Sequence, residues 1–256
     1  MNLKIGGELF LILGATSGFG RAVCEALMHE KASVIGVARN ANTLEDMENT
    51  YPLFQGIALD IFKPGSVDEL LQKISDKKIK GVLVNAGGPP ATTAMDTELK
   101  QWDEAYNSVL RWKIELTKKI IPRLENVVQS RVIYIESASV KQPIENLVLS
   151  NSLRMAVVGF VKTLTQEMPD SATTFNIIAP GYHKTSAVER LVKKKAEKMN
   201  VSEQEAQESM ESKLPRGKIG NPDDLASMAA WLFSPHSDYI NGQIFYVDGG
   251  ANKATL

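Results

Sequence analysis

Leu9-Phe10-Leu11-Ile12-Leu13-Gly14-Ala15-Thr16-Ser17-Gly18-Phe19-Gly20 is the stretch that decides the fold. Leu9 to Leu13 is a short apolar run of the kind a fully buried strand requires. The glycines that follow permit a tight turn and let backbone N–H groups approach a pyrophosphate. A helical pattern begins near Phe19 and runs from Arg21 to His29, so its N-terminal dipole points at the same anion. A Gly-rich turn alone would also suit an ordinary βα connection. The spacing G-x-x-x-G-x-G, after a strand and before a helix, instead points to a nucleotide-binding loop formed by Gly14, Thr16, Ser17, Gly18, Phe19 and Gly20.

The same rhythm continues outward from this loop. Further strand candidates are Ser33 to Ala38, Gln55 to Leu59, Gly81 to Asn85, Val132 to Glu136, Thr174 to Ile178 and Gln243 to Val247. Helical patterns lie between them at Ser66 to Ser75, Leu99 to Leu124, Leu147 to Glu167 and Asp223 to Phe233. Short buried runs alternating with helices imply parallel strands joined by right-handed crossovers. The expected fold is α/β: a Rossmann-type, doubly wound parallel sheet of about seven strands with helices on both faces. No Pro-, Gly- or Ser-rich linker and no repeat divides the chain, so residues 1–256 are read as one domain. Residues 186–213 break the rhythm. They are long, charged and helix-prone, follow Pro180-Gly181 and end before Pro215, which fits either a solvated helix face or a helical lid over a substrate site.

Composition narrows the function classes. A formal net charge of −1 offers no global field for nucleic acid or membrane, and the basic run Lys193 to Lys195 alone does not change that. The single cysteine, Cys24, rules out an intrachain disulfide framework and reads as a small core residue of a protein in a reducing compartment. Lys4 and Glu8 interrupt any signal-peptide core, and no apolar run approaches the ~18 residues of a membrane span, so a cytoplasmic location is expected. No metal ligand set is assigned.

Other positions extend the nucleotide site. Arg39 follows the second strand run, where an adenosine ribose would lie. A guanidinium there suits a 2′-phosphate bidentately, which favours NADP(H) and leaves NAD(H) possible; the alternative is a solvated loop charge. Asp60, with Ile61 beside it, ends the third run and could accept from an adenine amino group, or cap the next helix. Asn85, Ala86 and Gly87 end the fourth run with small residues that allow close backbone approach.

These motifs, with Asn176-x-x-x-Pro180-Gly181-x-x-x-Thr185, Gly220-Asn221-Pro222-Asp223-Asp224 and Val247-Asp248-Gly249-Gly250, resemble over essentially the whole chain the classical short-chain dehydrogenase/reductase family, and within it the beta-ketoacyl carrier-protein reductase group. The resemblance implies an NADP-dependent oxidoreductase acting on a small or acyl-carrier-linked carbonyl substrate. It implies that Pro180, Gly181 and Thr185 contact the nicotinamide end, and that the C-terminal strand helps build a homotetramer or homodimer. Leu13 departs from the threonine often found before the first glycine.

The catalytic positions depart further. The family reduces carbonyls with a tyrosine proton donor, a lysine one helical turn later that lowers the tyrosine pKa, an orienting serine and an asparagine. Here the resemblance places Ser137 at the orienting serine, but Ser150 and Arg154 at the tyrosine and lysine, and Val109 at the asparagine. None of the six tyrosines has a lysine four residues on. A serine hydroxyl is a far poorer acid than a phenol, and arginine does not shuttle protons. Arg154 can hold a substrate carboxylate or phosphate, bond the nicotinamide ribose, or form a structural ion pair. His183, in Pro180-Gly181-Tyr182-His183, titrates near neutrality and is the candidate for the missing proton, against the reading of a surface loop histidine. Glu136, beside Ser137, is expected on the opposite side of its strand and receives no role. Two functions follow: an oxidoreductase with altered acid–base groups, or an NADP(H)-binding homologue without turnover that serves as sensor, scaffold or silent subunit.

Overall fold

The computed structural model describes residues 1–255. Along the chain run β1 (Leu9–Leu13), α1 (Gly18–His29), β2 (Ser33–Ala38), α2 (Ala41–Thr50), β3 (Phe54–Ala58), α3 (Ser66–Lys73), β4 (Gly81–Val84), α4 (Leu99–Ala105) and α5 (Trp112–Leu124). They are followed by β5 (Ser130–Ile135), α6 (Val148–Glu167), β6 (Thr173–Pro180), α7 (Ser186–Met199), α8 (Glu203–Glu211), α9 (Pro222–Phe233) and β7 (Ile244–Val247). The strands form one parallel sheet, as the alternating pattern predicts, and its order is β3-β2-β1-β4-β5-β6-β7. Chain order reverses between β1 and β4, and the crevice beyond their carboxyl ends is where such a sheet binds ligands.

Alternation along the strands builds two cores. Leu11 and Leu13 face one side with Val82, Val132 and Phe175, against Trp112, Leu116 and Ile120 of α5 and Val157 and Val161 of α6. Phe10 and Ile12 face the other side with Leu83, Ile133 and Ile178, against Val23 and Leu27 of α1 and Leu225, Ala229 and Phe233 of α9. Cys24 is wholly buried in this second core, and burial pushes its thiol pKa up, so it is the small core residue expected. Helix α9 starts where it does because Asn221 and Asp224 close a capping box and Pro222 stands in the first turn, where no N–H is needed.

Three elements differ from the pattern reading. Helix α2 was not expected: its sequence is mostly polar and only Leu44 and Met47 are buried, while Asn40 supplies the cap by accepting from the Thr43 N–H at 3.2 Å. The helix expected over Leu99 to Leu124 is broken by a π-helical turn at Tyr106–Arg111. The excursion at 186–213 is two helices. Asn200 is left-handed (φ 53°) and ends α7, and Ser202 starts α8 through a capping box with Glu205. The two helices share a small apolar cluster of Val188, Val192, Ala196, Ala206 and Ile219, separate from the main cores.

Phe233 joins α9 to the sheet. Its ring lies 4.9 Å from that of Phe10, and a Cβ at Gly81 would come within 2.7 Å of it. Phe233→Ala is expected to destabilise the fold by about 3–5 kcal/mol, measured as a lower urea midpoint at unchanged m-value.

Candidate active site

The crevice begins with the turn after β1. Gly14 has φ +72°, and a Cβ on Gly20 would lie 2.1 Å from the Gly14 carbonyl oxygen, so the first turn of α1 folds under the strand end only without side chains there. Asn85 locks the neighbouring strand end to it, donating from Nδ2 to the Leu13 carbonyl at 3.2 Å. Ser17 is the N-cap of α1 yet makes no side-chain capping bond, which leaves the N–H groups of the first turn facing the crevice.

A cleft of about 640 Å³ opens over this turn. It is lined by Gly14, Thr16, Ser17, Gly18 and Phe19 of the loop, by Arg39, Asp60 and Ile61 at the ends of β2 and β3, and by Asn85, Ala86 and Gly87 beyond β4. Thr185 lines its far end, while Gly20 packs beneath the loop instead of lining it. Arg39 is exposed and has no carboxylate partner among the described residues. Asp60 accepts from the Phe62 N–H at 3.2 Å and does not cap α3, whose N-cap is Gly65. A glycine-turned loop at a helix N-terminus, a cation at the rim and a carboxylate beside it fit a dinucleotide with a 2′-phosphate.

A second cavity of about 630 Å³ continues from the first. Pro180, Gly181, Ser137 and Ser150 line it, with apolar walls that include Pro89, Ile144, Leu147, Val188 and Leu191. Phe19, Gly88, Glu136, Arg154, Thr185, Ala187 and Arg190 line both spaces, so the two meet at these residues.

The floor of that junction is a chain of polar side chains. Arg154 donates from Nε to Ser150 Oγ at 3.0 Å, and from Nη1 to the Glu136 carbonyl and to Glu136 Oε2, both at 3.1 Å. Glu136 Oε1 in turn accepts from the Lys113 ammonium on α5. Burial pushes the Lys113 ammonium down to about 8; Glu136 opposes that shift and Arg154 adds to it. Ser137 Oγ accepts from the Ser139 N–H at 3.1 Å and starts a short 3₁₀ turn, Ala138–Val140. Glu136 therefore lies on the site side, contrary to the strand-alternation argument, because β5 ends at Ile135 and the alternation ends with it.

His183 lies outside both cavities. Residues 183 and 220 form an isolated bridge that draws the imidazole inward, where it packs edge-on to Phe19 at 5.1 Å and its Nδ1 meets the Gly181 carbonyl at 3.2 Å. Burial lowers its pKa, opposed by the Gly181 bond, so the ring is a neutral packing element and the structure does not bring it to the junction as a proton donor. Its neighbour Tyr182 does line the second cavity, with its phenol pKa raised by burial. Lys113 and Glu136 were missed in the sequence, although a signal was there. Lys113 interrupts the apolar stripe of Val109, Leu116 and Ile120, and Glu136 terminates an apolar strand.

Comparison with known proteins agrees with this fold. A family model described as enoyl-(acyl carrier protein) reductase matches residues 14–252. The 3-oxoacyl-(acyl-carrier-protein) reductase FabG of Vibrio cholerae serotype O1 is 27% identical over 255 residues, covering 98% of this chain and 98% of its own. L-Sorbose reductase of Gluconobacter frateurii, solved with NADPH and L-sorbose, superposes with a TM-score of 0.93 at 23% identity, covering 99% of this chain and 100% of its own. A short-chain oxidoreductase of Pseudomonas aeruginosa PAO1, solved with NADPH and described as containing an atypical catalytic center, superposes at 0.87 with 22% identity, covering 96% and 97%. The two structural likenesses concern the fold. The chain belongs to the short-chain dehydrogenase/reductase family, in the group similar to the 3-oxoacyl carrier-protein reductases.

The close approach at Gly20 yields a direct test. Gly20→Ala is expected to raise the Kd for NADPH at least about tenfold, or about 1.4 kcal/mol, in a fluorescence titration, with a lower thermal midpoint by circular dichroism because the backbone must shift to admit the methyl group.

Proposed function

We propose that this protein is an NADP(H)-dependent oxidoreductase that moves a hydride between the nicotinamide and a carbonyl or alcohol substrate. The observation that carries the reading is the shared wall of the two cavities. A dinucleotide cleft runs from Arg39 to Thr185 and meets an apolar cavity at Arg154, which also lines the space holding Ser137 and Ser150. When bound, the cofactor supplies the hydride; the residues of this chain hold and orient. The turn from Gly14 to Gly20, with the N-terminus of α1, takes the pyrophosphate. Arg39 takes the 2′-phosphate, Asp60 and Ile61 the adenine, and Pro180, Gly181 and Thr185 the nicotinamide end. Ser137 and Ser150 offer hydroxyls to the substrate oxygen.

The apolar walls suit an acyl substrate, and the curated relatives named as 3-oxoacyl-(acyl-carrier-protein) reductases make a carrier-linked 3-oxoacyl compound the first to try. Helix α7 contributes Ala187, Val188, Arg190, Leu191 and Lys194 to the cavity wall, and with α8 it acts as the substrate lid. Assembly as a homotetramer or homodimer belongs to the same reading. No helix among the described residues is long and apolar enough to cross a membrane, and a cytoplasmic location is proposed with the rest.

A second reading keeps one specific observation. Ser150 and Arg154 already bond each other, and the chain lacks the tyrosine and lysine of its family, which suits a cofactor binder without turnover. The deciding experiment titrates NADPH and NADH and screens a carbonyl panel on the same sample. Tight NADPH binding with turnover supports the first reading, tight binding with no turnover the second. Arg39→Ala is expected to weaken NADPH about 10–100-fold while leaving NADH within about twofold, because a charge-assisted bond to phosphate contributes about 1.5–3 kcal/mol. Equal loss for both nucleotides would show that Arg39 does not read the 2′-phosphate.

A further inference from the structure

Lys113, Glu136, Arg154 and Ser150 are 2%, 3%, 7% and 8% exposed, and they form one hydrogen-bonded chain beneath the cavity junction. Two cations flank one carboxylate. Burying charge is costly even when it is paired, so the third charge calls for an explanation. A Glu136–Arg154 pair would by itself be complete and neutral. Lys113 reaches it from the apolar stripe of α5 and restores a net charge of +1. Among the described residues the Arg154 Nη2 has no hydrogen-bond partner, and a Cβ built on Gly88 would lie 3.2 Å from it, which sets Nη2 at the glycine that both cavities share. Ser150 Oγ accepts from Arg154, so its own proton remains free to donate.

We propose that Arg154 Nη2 and the Ser150 hydroxyl clamp the substrate carbonyl oxygen, and that Lys113 and Glu136 are positioning residues that keep this clamp rigid and net cationic. The inference rests on the oxidoreductase reading above. In reduction, a C–H bond of the reduced nicotinamide would break as its hydride formed a new C–H bond at the carbonyl carbon, and the nicotinamide would be left oxidised. The C=O π pair moves onto oxygen, and Arg154 and Ser150 hold the alkoxide. A water molecule entering from solvent then protonates it, and the hydroxide formed is neutralised by bulk solvent. The donors are fixed before the charge develops, so they need no reorganisation, and removing one such donor elsewhere costs about 10²–10³ in rate. Stabilisation of charge thus replaces delivery of a proton by a phenol.

The arrangement dictates a pH dependence. Lys113 faces Glu136 at the exit of β5 and Arg154 on α6. Tyr134, whose hydroxyl pairs with Thr117 one turn along α5, is held neutral because burial raises its pKa. As Lys113 deprotonates around pH 8, the triad falls from +1 to neutral and the clamp weakens. Reduction should therefore be fastest below pH 8 and decline above it.

The test is kcat for carbonyl reduction against pH in wild type, Lys113→Met and the double variant Lys113→Met/Glu136→Gln, each with its NADPH Kd. Lys113→Met leaves a neutral Arg–Glu pair. Its kcat at pH 7 should fall about 10–100-fold, with Kd within about twofold and no decline centred on pH 8. The double variant returns the net charge to +1 and should recover most of the lost rate, again without that decline. A merely structural role predicts that the second substitution adds to the loss. The double variant also leaves no unpaired buried carboxylate, so it carries the test if the single variant fails to fold. A wild-type profile flat through pH 8, a Lys113→Met kcat within twofold of wild type, or a double variant slower than the single one would overturn the proposal. A wild type that reduces nothing in a broad carbonyl panel would instead remove the oxidoreductase reading on which it rests.

Discussion

A side chain at position 20 would bring its Cβ to 2.1 Å from the carbonyl oxygen of Gly14, and the architecture depends on that space staying empty. The contact lets α1 start directly beneath the end of β1, which turns the helix N-terminus toward the crevice between β1 and β4. Asn85 ties the second edge of the crevice to the first through the Leu13 carbonyl. Once those two strand ends are held together, the positions of Arg39, Asp60 and Ile61 follow from the parallel register of β2 and β3. This half of the candidate site is thus built from backbone geometry, with few side chains.

The other half is built from buried charge. Lys113 lies on the apolar face of α5, Glu136 follows the last residue of β5, and Arg154 is on α6. Those three elements are held together by the core on one side of the sheet. Each charge is satisfied only because the others are in place, so the network and the packing of α5 and α6 on the sheet are one constraint. The α7–α8 pair stands apart. Its helices share a cluster separate from both cores, and the stems are clasped where Lys184 N–H donates to the Gly220 carbonyl and Gly220 N–H to the Tyr182 carbonyl. A segment held mainly by its own small cluster can move without disturbing the sheet.

The residues proposed to hold the cofactor could be named in the sequence because their signals are local. A glycine at a positive-φ turn, a cation after a strand and a small-residue run after another strand keep their meaning wherever the sheet places them. Helix α2 was not legible, since Leu44 and Met47 alone make too weak an apolar pattern and docking on the sheet supplies the rest. The π turn at Tyr106–Arg111 leaves no local mark that distinguishes it from a regular helix. His183 was misjudged because neutral-range titration says nothing about direction. A bridge between residues 183 and 220 holds this backbone, and the ring packs against Phe19 without lining either cavity.

By itself the sequence determined the alternation of strands and helices, the glycines of the first turn, the family and the absence of any tyrosine with a lysine four residues on. These are carried by neighbours in the chain or by periods of two and 3.6 residues. Only the tertiary structure decided that Lys113, Glu136 and Arg154 share one buried chain, because residues 23 and 18 positions apart meet solely through packing on a common sheet face. Electrostatic coupling acts through space and is strongest where water is excluded, so the charge of that cluster is a property of the fold.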